Sequence, residues 1–215
     1  MARRYDTNDA TDRVTGLREA ASAVRRGELV VLPTDTLYGI GADAFSPEAV
    51  GDLLEAKGRG RNMPSPVLIG SPNTLHGLVT DFSELAWELV DAFWPGGLTL
   101  VARHQPSLQW DLGDTRGTVA VRMPLHPVAI ELLTEVGPMA VSSANLSGHP
   151  APEDCDAAQR MLGDAVSVYL DAGPTPGNIA SSIVDVTREV PVLLREGAIS
   201  QDELRKVVPD LEVAN

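Results

Sequence analysis

The sequence predicts an α/β fold: a twisted mixed β-sheet with helices packed on its faces. Three observations predict it. Short all-apolar runs, such as Leu29-Val30-Val31-Leu32, have the character of strands buried on both faces. Amphipathic stretches with helix start and stop signals alternate with those runs along the chain. The last apolar runs follow one another closely enough to pair as hairpins, which makes the sheet mixed rather than purely parallel. At 215 residues, 43% hydrophobic and 22% charged, with no internal repeat or Ser/Gly-rich linker, the chain reads as one domain over 1–215.

Residues 11–26 carry Val14, Leu17, Ala21 and Val24 at helical spacing, and Gly27 supplies the stop. The strand at 29–32 is closed by Pro33. Ser46-Pro47-Glu48 combines a capping serine, proline at the first helical position and an early acid, so a second helix starts there. Val50, Leu53 and Leu54 form its apolar face, and Gly58 ends it. Strands are then expected at 67–69, 98–102, 118–123, 139–143, 166–170, 182–186 and 191–194, with helices at 83–93, 127–136 and 154–162 between them. Ser200-Gln201-Asp202-Glu203 is a capping box that opens the last helix.

Global chemistry excludes several classes. With 17 Lys+Arg against 30 Asp+Glu, the net charge of −13 lacks the basic footprint of a protein that holds nucleic acid unaided. A single cysteine, Cys155, rules out an internal disulfide, and its neighbours Asp154 and Asp156 should raise its pKa, the wrong direction for a nucleophile. His76, His104, His126 and His149 lie too far apart for a ligand pair of the H-x-x-x-H kind. The basic start, Met1-Ala2-Arg3-Arg4, is followed by Tyr5-Asp6-Thr7-Asn8-Asp9 where a signal peptide needs an apolar run. No stretch approaches the ~20 apolar residues of a membrane span, so the expected location is the cytoplasm.

Three segments carry candidate chemistry. Lys57, Arg59 and Arg61 are the only cations between Arg26 and Arg103. They read either as a solvated helix end that suits the C-terminal dipole or as a phosphate clamp. Pro33-Thr34-Asp35-Thr36-Leu37-Tyr38-Gly39-Ile40-Gly41 leaves a buried strand, where α/β sheets place ligand crevices, although a self-bonded turn accounts for the same residues. The glycines of 39–44 do not make a dinucleotide-binding loop, because the helix start comes later, at Ser46-Pro47. Val141-Ser142-Ser143-Ala144-Asn145 sets hydroxyls and an amide directly after an apolar run. No G-x-S-x-G surrounds those serines, which argues against a serine nucleophile.

Taken together, these segments resemble the YrdC-like family of threonylcarbamoyl-AMP synthases over roughly residues 17–199. The resemblance rests on Pro33–Gly39 against the family's P-T-D/E-T-x-Y-G, on K-x-R at Lys57-Gly58-Arg59 and on S-x-N at Ser143-Ala144-Asn145. Residues 93–100, 119–124 and 194–197 also fit. It implies the short, single-domain form with a concave basic groove, and an enzyme that joins L-threonine, bicarbonate and ATP into threonylcarbamoyl-AMP and pyrophosphate. The product serves modification of the adenosine beside the tRNA anticodon through a transferase complex. Carried over by position, Lys57, Arg59, Thr118, Asn145 and Arg195 should meet ATP, with Lys57 and Arg59 central to the chemistry. Thr36, Arg122, Ser143 and Ser181 should meet threonine. Mg²⁺ is expected with ATP, though no carboxylate ligand set stands out. Ser65 and Gly70 fall where the family has Asn and His. The resemblance leaves two alternatives, a non-catalytic RNA-binding module of the same fold and a carbamoyl-transfer module like the YrdC-like part of hydrogenase maturation proteins; at −13, tRNA binding should be weak or absent. Lys57, Arg59, Arg122 and Arg195 are expected to converge on one groove in an acidic shell.

Overall fold

A computed structural model describes residues 2–177 and 179–214. A first strand, β1 (Arg3–Asp6), leads into helix α1 (Ala10–Arg25), whose Asp9 cap accepts from the Thr11 and Asp12 amides. Next come β2 (Val30–Leu32), buried throughout, and β3 (Gly39–Asp43), paired antiparallel to it. Helix α2 (Pro47–Ala56) starts as its sequence demands, with the Ser46 hydroxyl accepting from the Ala49 amide. Then follow β4 (Val67–Leu68), the single turn α3 (Leu75–Leu78), β5 (Val79–Thr80) and α4 (Glu84–Phe93). The second half runs β6 (Leu98–His104), β7 (Thr118–Arg122), α5 (Pro127–Val136), β8 (Met139–Ser143), α6 (Cys155–Leu162) and β9 (Val168–Asp171). It closes with β10 (Ser182–Asp185), β11 (Val192–Arg195), α7 (Gln201–Arg205) and β12 (Glu212–Val213). No helix among the described residues is long and apolar enough to cross a membrane.

The strands form one mixed sheet in the order β1-β9-β2-β3-β8-β4-β7-β6-β10-β11-β12, with β5 beside β6. β10 and β11 pair antiparallel, the hairpin expected of them, while β10 runs parallel to β6. Alternation along each strand sends side chains to opposite faces. One face packs Ile40, Leu98, Leu100, Val121, Val184 and Leu193 against α2, α4, α6 and α7. The other buries Val30, Leu32, Leu68, Met139, Val141 and Leu170 under α1 and α5. That second cover reaches from β1 to β4. Beyond it, on β7, β6 and β10, the same face carries Arg122, Thr99 and Ile183, and these line a cavity rather than a core.

Residues 39–43, read in the sequence as part of a polar loop, form a central strand. The glycines are there for close approach: a Cβ on Gly39 would lie 2.5 Å from Val141 Cγ1, and one on Gly41 2.8 Å from Met139 Cε. The other strands missed are β1, whose exposed Arg-Arg-Tyr-Asp has no apolar alternation, and the two-residue β5 and β12. Length and polarity hide such elements from any periodicity.

Candidate active site

The cavity, about 400 Å³, opens where the α1–α5 cover ends. Its floor is the turn between β2 and β3. The Thr34 hydroxyl accepts from the Thr36 and Leu37 amides, both at 3.1 Å, and donates to the Leu37 carbonyl at 2.6 Å. This self-bonded turn is what Thr and Asp were read as able to make, and it presents a ligand surface as well. Arg122, at the end of β7 and 6% exposed, locks onto the turn. Its Nη1 donates to Thr36 Oγ1 (2.7 Å), its Nη2 to Asp35 Oδ1 (2.6 Å) and its Nε to the Gly96 carbonyl (2.8 Å). Asp35 Oδ1 also accepts from the Leu125 amide at 2.8 Å. Burial pulls the Arg122 pKa down and the Asp35 carboxylate opposes that pull. A guanidinium has five N–H donors; the protein engages one each on Nε, Nη1 and Nη2, so two remain for a ligand.

Two further cations reach the same space. Gly58, at φ +60°, ends α2 in the left-handed conformation and lets the Arg59 amide reach back to the Leu54 carbonyl at 2.8 Å. That reversal separates the K-x-R pair: Arg59 turns to the cavity while Lys57 turns inward. Arg59 Nη1 donates to Ser142 Oγ (3.2 Å), and its buried Nε has no partner. Arg195, at the end of β11, sets Nε and Nη2 on the Ser181 carbonyl at 3.0 and 2.7 Å, with Nη2 also 3.3 Å from Ser181 Oγ. Burial holds both guanidinium groups below the ordinary arginine value. An anion between them would relieve that penalty.

Of the residues expected at a site, Thr36, Arg59, Arg122, Ser143, Ser181 and Arg195 line this one cavity. Three do not: Lys57, Asn145 and Thr118 lie outside its lining. Lys57 is 1% exposed, and its ammonium donates to the carbonyls of Ser143 and, at 2.6 Å, Asn145, behind the wall. Burial pushes its pKa down to about 8, with the nearby Arg59 charge adding to the fall. Asn145 spends its amide on the Leu146 and His149 carbonyls, at 3.0 and 2.7 Å. Thr118 begins the strand that Arg122 ends, about 13 Å away, with its hydroxyl on the Thr115 carbonyl at 2.8 Å. At position 70 a Cβ would meet the Thr134 amide of α5 at 2.9 Å, so Gly70 faces a helix, and Leu68 is the wall residue of that stretch. Ser65 is buried with its hydroxyl unpartnered, between the wall residues Pro64 and Pro66.

Met63, Leu68 and Thr99 are wall residues that sequence reasoning missed. For Thr99 a signal existed, since it alternates with the core residues Leu98 and Leu100 and must face the other way. Cys155 is fully buried with its thiol pushed up to about 12, mainly by burial, which removes it as a nucleophile. Among the described residues no three His, Cys, Asp or Glu side chains group as metal ligands, and no carboxylate lines the cavity. These donors do not fit a protein-held Mg²⁺.

A mixed sheet whose half-covered face gathers three arginines and a set of hydroxyls defines a class: an α/β protein with a cavity lined by guanidinium and hydroxyl groups. The comparisons give the family. The Sua5/YciO/YrdC family model, described as telomere recombination, matches residues 22–197, and the chain belongs to that family. A Mycobacterium tuberculosis relative, provisionally named a threonylcarbamoyl-AMP synthase, is 57% identical over 208 residues, covering 97% of this chain and 96% of the relative. The threonylcarbamoyl-AMP synthase of Bacillus subtilis is 36% identical over 211 residues, 95% of this chain and 61% of that protein. Among solved structures, Pyrococcus abyssi Sua5 complexed with L-threonine superposes with a TM-score of 0.92 at 33% identity, over 100% of this chain and 62% of that one. Escherichia coli YciO, with a TM-score of 0.80 and 22% identity, shares the fold.

Proposed function

We propose that this chain is an ATP-dependent threonylcarbamoyl-AMP synthase that condenses L-threonine, bicarbonate or CO₂, and ATP by nucleotidyl transfer. The observation that carries the reading is the convergence of Arg59, Arg122 and Arg195 on one cavity in a chain of net charge −13. Among the described residues only Arg122 has a carboxylate partner there. Two uncompensated guanidinium groups suit the phosphates of ATP, and the half-engaged Arg122 fork, beside Thr36, suits a threonine carboxylate. The relatives' names and the threonine complex of the Pyrococcus abyssi protein point the same way.

In this reading the threonine amine forms a nitrogen–carbon bond to CO₂ and loses a proton. The carbamate oxygen then attacks the α-phosphorus, and the bond to the pyrophosphate oxygen breaks in line. The nucleophile is already an anion, so the protein's task is to align it and to stabilise charge, as in other phosphoryl transfers. The product would pass to a separate tRNA-modifying transferase.

Arg122→Lys keeps a charge opposite Asp35 but loses the fork. It is expected to raise the threonine KM about 10- to 100-fold, the scale of a charge-assisted hydrogen bond, with the ATP KM changed by less than threefold. A threonine KM equal to wild type would remove Arg122 from the threonine site. The function itself is tested by pyrophosphate release from ATP with threonine and bicarbonate each left out in turn, and by the mass of the product. Release indifferent to threonine refutes the assignment.

A further inference from the structure

Thr99 stands on β6 with its side chain on the cavity face, opposite the core that takes Leu98 and Leu100. Its hydroxyl lies 2.8 Å from Ser181 Oγ, and both residues are wall residues, 3% and 8% exposed. The direction of the protons in this pair follows from what surrounds it. Arg195 Nη2 is 3.3 Å from Ser181 Oγ, and a guanidinium can only donate, so it fills one Ser181 lone pair. The Thr99 hydroxyl has no hydrogen bond other than the one to Ser181 among the described residues. Either sense leaves one proton without a protein acceptor; Thr99 is the more enclosed of the two, 3% against 8% exposed, so its proton is placed on Ser181 Oγ and the unshared proton stays on the hydroxyl nearer the cavity. With both lone pairs filled, Ser181 accepts nothing more, and its own proton is free for the cavity.

We infer that Thr99 is a positioning residue that fixes Ser181 as a hydrogen-bond donor to an anionic oxygen of the substrate bound between Arg122 and Arg195. The inference rests on the synthase reading, in which the occupant of that point is the carbamate made from threonine. A donor held there would favour the charged oxygen over the protonated amine, which is a cation with no lone pair to accept with. Thr99 touches no reacting atom in this scheme; it acts through Ser181.

The test is a double-mutant cycle on the full chain, read by pyrophosphate release with threonine varied at saturating ATP and bicarbonate. Thr99→Val, which keeps shape and removes the hydroxyl, is expected to lower kcat/KM for threonine about 5- to 10-fold, the scale of one neutral hydrogen bond. The ATP KM should stay within twofold, and Thr99→Ser should restore at least half of the wild-type value. In a Ser181→Ala background, Thr99→Val should change kcat/KM by less than twofold, since the hydroxyl it acts through is gone. A purely structural role would lower activity equally in both backgrounds and would not be rescued by serine; either result overturns the inference. Should Thr99→Val not fold, Thr99→Ala in the same cycle decides by the same criteria. Wild-type release without threonine dependence would sink the synthase reading and this inference with it. Threonine dependence with an unaffected Thr99→Val would sink the inference alone.

Discussion

Arg59→Ala is expected to lower kcat for ATP-dependent pyrophosphate release by about 10²-fold or more and to raise the ATP KM, the scale of losing a charge contact made to the transition state. The physical case is the state of the side chain without ligand. Its Nη1 rests on a neutral hydroxyl, Ser142 Oγ at 3.2 Å, its Nε is buried without a partner, and burial already disfavours its charge. Such a group gains most when anionic oxygens arrive. Arg195, by contrast, spends two donors on the Ser181 carbonyl, so less of it is available to the substrate. Arg59→Lys should recover only part of the loss, because an ammonium offers no bidentate fork. Steady-state kinetics with ATP varied are the check, and a kcat within threefold of wild type would take Arg59 out of the phosphate site.

Lys57→Met should act on stability, with a pH signature. Removing the ammonium leaves the Ser143 and Asn145 carbonyls without their donor, a loss of about 1–3 kcal/mol each, offset in part because a charge no longer has to be buried. A net destabilisation of about 2 kcal/mol near pH 8 is expected, and with it a looser cavity wall at Ser143. The folded-state value of Lys57, about 8, lies below its ordinary 10.5. Between those two values the unfolded chain binds the proton and the folded chain does not, so Lys57 makes folding more favourable as pH rises through that window. The stability gap between wild type and Lys57→Met should therefore widen from pH 7.5 to 9.5. Denaturant titrations at both pH values measure it, and a gap that is constant or narrows would mean that Lys57 is not a buried, depressed lysine.

These two predictions divide a motif that the sequence presents as a unit. Lys57 and Arg59 are two residues apart, and nothing in their spacing says that one faces the core. The left-handed turn at Gly58, φ +60°, makes the division. The same holds for Ser143-Ala144-Asn145: Ser143 reaches the cavity, while Asn145 braces the following loop through the Leu146 and His149 carbonyls. The helix starts, by contrast, were legible residue by residue. Ser46 and Ser200 cap helices through their own side chains, and such caps depend on three or four adjacent positions. The buried strands were legible for a similar reason, since an all-apolar run needs no knowledge of its partner. β3 was not, because its glycines are set by Val141 and Met139 on a strand one hundred residues away in the chain.

By itself, the sequence determined the fold class, most element boundaries to within a few residues, the family resemblance and the cations from which a site would be drawn. Only the tertiary structure decided that three of the four cations, Arg59, Arg122 and Arg195, share one cavity while the fourth, Lys57, stands behind its wall. It also decided that Thr99 belongs to the site and Gly70 does not. The reason is range. Caps, periodicity and turn chemistry act over a few residues and are written locally. A pocket is made where a sheet's cover ends, and that edge is set by which distant helices pack on which strands.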